Sequence, residues 1–118
     1  MTQVEGARLF RESWIAGVRE HFPGEPKPGY VTPWEETPQW ELEAVYEQVR
    51  QFLELSGGHA SRLTREQKGR YVATCWIAQM FKHFEDPKPW YVADWADLPG
   101  WQKETDADIF EAIEKTLN

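Results

Sequence analysis

The sequence holds one cysteine and two methionines, and no apolar run approaches the length of a membrane span. Each shortage excludes something. A single Cys75 cannot build a disulfide framework or a multi-cysteine zinc site. Without about eighteen consecutive apolar residues there is no transmembrane helix to expect, and the opening MTQVEGARLF has no signal-peptide core, so a soluble, cytoplasmic protein with no membrane partner is anticipated. Basic residues are also scarce: thirteen Lys plus Arg stand against twenty Asp plus Glu, a net charge of −7. Nucleic acid is therefore an unpromising partner, because phosphate neutralisation needs a basic face. There is no glycine-rich phosphate loop after a strand, no strand–turn–helix nucleophile, no Ser/His/Asp set and no HxxxH pair. These absences argue against an enzyme, a metal site and a cofactor.

Aromatics are plentiful. Seven Trp, four Tyr and six Phe accompany a 41% hydrophobic composition in 118 residues, enough apolar area to fold as one domain. They are also ordered along the chain. WIAGVREHF at 14–22 matches WIAQMFKHF at 76–84, and EPKPGYVTPWEETPQW at 25–40 matches DPKPWYVADWADLPGW at 86–101. Thirteen of these 25 aligned positions are identical, including the pairs Trp14/Trp76, Trp34/Trp95 and Trp40/Trp101. Such register among rare residues reads as a tandem duplication, with repeat one over 1–55, a polar hinge over 56–63 and repeat two over 64–118.

Each repeat reads as helix, Pro-rich loop, helix. Phe10, Trp14, Val18 and Phe22 recur every four residues, one stripe of an amphipathic helix over about 4–22. The PGEPKPGYVTP segment cannot continue it, because proline removes donors and holds the preceding residue extended. Thr37 and Pro38 suit the start of a second helix whose apolar face is Leu42, Val45, Tyr46, Val49, Phe52 and Leu53. Thr64 with Gln67 forms a capping-box pattern for a third helix to about 84, with Val72, Trp76 and Met80 aligned. Pro99 precedes a fourth helix with Ile109, Phe110, Ile113 and Leu117 inside; identity fades past Trp101, so this helix is expected to begin differently or later. A sixty-residue unit is marginal alone. The expected fold is thus all-α, about four main helices in one pseudo-twofold domain.

The charge is segregated. Residues 1–55 carry −5, residues 56–90 carry +3 and residues 91–118 carry −5. The basic island of Arg62, Arg65, Lys68 and Arg70, with Lys82 and Lys88, is expected to pair with the acidic second and fourth helices. A small anion visiting the third helix is the sharper reading of the same island.

The loops have two readings. Trp34 and Trp95 can staple the chain against Trp40 and Trp101 or stack on the prolines, a purely structural lock. Alternatively, Lys27, Tyr30, Trp34, Lys88, Trp90, Tyr91 and Trp95 form an aromatic-walled cleft for a planar or nucleotide-like anion. Trp90 has no counterpart, since Gly29 stands in its place. His21 and His83 close their helices, where the dipole favours them, and Cys75 reads as a buried small hydrophobe.

Trp34-Glu35-Glu36-Thr37-Pro38-Gln39-Trp40, followed by a helix ending in Val49-Arg50-Gln51-Phe52-Leu53, resembles the closing phrase of ryanodine-receptor-repeat (RyR) domains in small actinobacterial and actinophage proteins. Trp95-Ala96-Asp97-Leu98-Pro99 is similar to the same phrase. Phe10-Arg11-Glu12-Ser13-Trp14 resembles the family's opening aromatic-His-x-x-Trp, with Arg11 where His is usual. The resemblance implies a non-enzymatic module that senses a nucleotide-derived ligand or binds a protein. A binding protein is therefore the primary expectation. The alternative is an acidic phage-type inhibitor whose Glu41, Glu43 and Glu47, with Arg62 and Arg65, contact a host protein. A helix-turn-helix use of the third helix is disfavoured by its acidic neighbours.

Overall fold

A computed structural model of the chain describes residues 1–37 and 39–117, with the side chains of 39–41 excepted. Four helices carry it. Helix α1 spans Gln3–His21; its Thr2 cap accepts from the Glu5 amide, and Glu5 adds an acidic charge to the positive end of the helix. It stops at Phe22, which is extended, before Pro23 and Gly24, whose φ of 97° only glycine adopts freely. Loop 1 then contains two single 3-10 turns, Pro28–Val31 and Trp34–Glu36. Helix α2 spans Gln39–Leu55. Helix α3, Arg65–His83, begins at the expected capping box: the Thr64 side chain accepts from the Gln67 amide at 3.1 Å, and the Thr64 amide donates to Gln67 Oε1 at 2.9 Å. Loop 2 has 3-10 turns at Pro89–Tyr91 and Trp95–Asp97, and α4 follows over Gly100–Thr116.

The order helix, two 3-10 turns, helix therefore occurs twice, and the described residues contain no strand. The fold is all-α, as the periodicity predicts. The radius of gyration is 13.6 Å, against about 13.5 Å for a compact chain of this length. Two expectations need correction. Helix α4 does not begin late: Gly100 occupies the register position of Gln39, because Pro99 sets the start whatever sequence follows. Leu117 is not inside; it caps α4 and is 42% exposed, past the last turn that packs on the core. The expected roles of Pro38 and of the Trp40 ring lie outside the described residues.

Helix α4 packs against both α1 and α3, while α2 packs against both from elsewhere. Its stripe of Ile109, Phe110 and Ile113 is fully buried and meets Phe10, Val45, Tyr46, Val49 and Val72 in one core drawn from all four helices. Burial of each such side chain contributes about 1.5–3 kcal/mol, offset by the entropy of ordering it. A polar seam runs beside this core between α3 and α4. Arg65 pairs with Glu104 at 3.0 Å, Asp108 at 2.9 Å and Glu111, and the buried Lys68 pairs with Glu114 at 3.0 Å. The basic start of α3 is thus matched by the acidic fourth helix. Helices α1 and α3 pack mainly through these neighbours rather than on each other, which leaves a space between them.

Candidate functional site

That space is a cleft of about 560 Å³, within the range of small-molecule sites. Eight described aromatic residues line it: Phe10 and Trp14 from α1, Tyr30 from loop 1, Trp76 from α3, Phe84, Trp90 and Tyr91 from the chain beyond α3, and Trp101 from α4. Their packing is specific. Trp101 lies edge-on to Trp14 (centroids 5.7 Å apart) and to Phe22 (5.0 Å), and tilts against Tyr30 at 5.5 Å. Such offset and edge contacts satisfy the ring quadrupoles and hold the rings rigid.

Loop 1 is fastened to α1 by side chains. Arg11 Nε donates to the Thr32 carbonyl at 3.0 Å, Arg11 Nη2 to the Gly29 carbonyl at 3.1 Å, and the Trp14 indole to the Tyr30 carbonyl at 2.9 Å. These bonds satisfy carbonyls that a 3-10 turn leaves over, and they hold Tyr30 against the cleft. Lys27 lines the cleft with its ammonium 5.9 Å from the Tyr30 ring centre. Lys88 stands over Trp90 at 5.3 Å and Tyr91 at 5.9 Å. Trp90 is 66% exposed, a large ring left facing solvent beside the cleft.

Of the loop residues singled out from sequence, Lys27, Tyr30, Trp90 and Tyr91 line the cleft, and Lys88 sits on two of its rings. Trp34 and Trp95 do not line it. Trp34 is buried in the core, and Trp95 packs beside Gly69 in a separate hollow with Arg65 and Lys103, its indole nitrogen buried without a partner among the described residues. These two rings support the helices, while the cleft walls come largely from Trp14, Trp76 and Trp101. The residues of the alternative are dispersed. Glu47 is held by Arg50 and Gln51, a pairing that draws its carboxyl below the usual range. Arg65 is engaged on α4, Arg62 is exposed within the hinge, Glu43 is half-buried on α2, and the Glu41 side chain lies outside the described residues.

Sequence reasoning passed over Arg11 as a loop anchor, and it also passed over Asp106. Asp106 lines the cleft, is only 6% exposed, and makes no hydrogen bond or ion pair with any described residue. Burial pushes its carboxyl well above the usual carboxylate range. A signal was present: 106 falls on the same helical stripe as Ile109, Phe110 and Ile113, where a carboxylate is out of place. Gln102, one turn earlier, lines the cleft too. Cys75 is buried as expected, and desolvation raises its thiol to about 11. His21 ends α1 and meets Asp108 at 2.9 Å; with Glu20 it forms a loose acidic cluster on the outside of the α1–α4 pair.

No family model matches the chain, and no curated protein or solved structure is similar to it.

Proposed function

We propose that the chain is a non-catalytic binding protein whose ligand is a planar, anion-bearing molecule of nucleotide type, held in the cleft between α1 and α3. The observation that carries this is the cleft itself: about 560 Å³ walled by aromatic faces, with Lys27 lining it and Lys88 on its outer rings. Aromatic faces stack on a heterocycle at about 1–3 kcal/mol per base. The lysines give its anionic group a counter-charge against the −7 background. The resemblance to RyR-domain proteins implies a module of the same kind. Nothing in the arrangement favours the acidic-inhibitor alternative over this one, since Glu47 and Arg65 are committed to partners within the chain.

The seven indole N–H groups provide a site-resolved test. Titration with the four nucleoside 5′-monophosphates, followed by proton–nitrogen NMR, is expected to move the indole signals of Trp14, Trp76, Trp90 and Trp101. Those of Trp34 and Trp95 should stay in place. Movement confined to Trp34 or Trp95, or no movement with any of the four, overturns the proposal.

A further inference from the structure

Asp106 remains unexplained by packing. An aspartate that is only 6% exposed, on the wall of an aromatic cleft and with no donor from any described residue, is an arrangement that folding alone disfavours. Its neighbours suggest what it awaits. Arg11 brings a guanidinium to the same cleft, and Lys27 adds an ammonium. A cationic ligand would meet both positive charges, so the complement of Asp106 is not simply a cation. In its protonated form, which burial favours, the carboxyl offers one donor, its O–H, and one acceptor, its C=O, side by side in a plane. Gln102, one turn earlier on α4, presents an amide with the same two functions.

Building on the nucleotide reading above, we propose that Asp106 is the polar anchor of the cleft, pairing in the ring plane with a heterocycle edge that carries an N–H donor beside an acceptor. The amidine edge of adenine or cytosine and the lactam edge of guanine or uracil both have this chemistry. The ring stacks on the tryptophans, its edge meets Asp106, and its anionic substituent points toward Lys27. Two hydrogen bonds made by a group as shielded as Asp106 are worth more than the same bonds in water, and a ligand unable to make them leaves Asp106 unpaired.

Calorimetric titration of the full chain tests this. The probes are AMP, CMP, GMP and UMP, with two blocked analogues, N6,N6-dimethyl-AMP and N3-methyl-UMP, whose donors are methylated. The parent nucleotides show which kind of edge the site takes. For an accepted adenine or uracil edge, the blocked analogue should bind the wild-type protein about tenfold or more weakly. Asp106→Asn, which keeps a coplanar donor and acceptor, should bind the accepted parent within about threefold of wild type. Asp106→Leu should lose about tenfold or more and cease to distinguish parent from blocked analogue. Circular dichroism melts establish that each variant is folded, and the analogue comparison needs no variant at all.

An analogue that binds wild type as tightly as its parent, or an Asp106→Leu variant with undiminished affinity, overturns this inference and leaves the cleft reading standing. Failure of all four parents to bind wild type overturns the nucleotide reading and this inference with it.

Discussion

An aspartate with 6% exposure and no described partner has thermodynamic consequences even without a ligand. Asp106 keeps its proton in the folded state to a higher pH than in the unfolded chain, because burial disfavours its charge. Above the unfolded pKa of about 4, the unfolded chain holds fewer protons at this site than the folded one, so stability falls as pH rises. The loss continues until Asp106 ionises in the folded protein, and its limiting slope is about 1.4 kcal/mol per pH unit. Asp106→Asn removes that dependence. Urea denaturation of both proteins from pH 4 to 8 should show the variant gaining on wild type as pH rises. A constant difference, or a wild type that gains, would refute the assignment. Arg11, half-buried along the same cleft, remains a cation throughout that range.

At the scale of elements, close helix contact depends on small residues. A Cβ built on Gly69 would lie 2.8 Å from the Trp95 ring, 3.1 Å from the Ala107 nitrogen and 3.1 Å from the Lys103 carbonyl oxygen. Two of those neighbours are backbone and cannot turn aside, so Gly69→Ala must push α3 and α4 apart. A loss of about 1–3 kcal/mol is expected in chemical denaturation, despite alanine's better helix propensity. An unchanged or increased stability would refute so tight a contact.

The same scale separates what the sequence made legible from what it did not. The four helices follow from four-residue apolar stripes and from Thr64 with Gln67, which are local signals. Trp34 and Trp95 stand in the same loops as Tyr30 and Tyr91, and nothing in their spacing tells a supporting ring from a lining one. That distinction depends on which helices stand apart, and it arises only when α4 fills the gap between α1 and α3 on one side. Asp106 was legible in principle, as a charge on an apolar stripe, but Asp108 and Glu111 beside it disguise it as part of an acidic surface.

Across the whole molecule, matching sequences are not used identically. Arg11 aligns with Ala73, a side chain that has nothing to donate to a loop. Loop 1 is therefore bolted to its helix through the Gly29 and Thr32 carbonyls, and loop 2 has no such bolt at the aligned position. The two loops border one cleft, so this difference makes one side of the entrance a fixed jamb and the other a door. Local opening should occur at lower free energy around Pro89–Tyr91 than around Pro28–Val31. Hydrogen exchange of the free protein should accordingly protect the Tyr30 amide longer than the Tyr91 amide, although both donate at 2.9 Å to the lysine carbonyl three residues earlier. Equal protection, or the reverse order, would contradict the bolt. Arg11→Ala removes the bolt from loop 1, so the Tyr30 amide should then exchange about as fast as the Tyr91 amide.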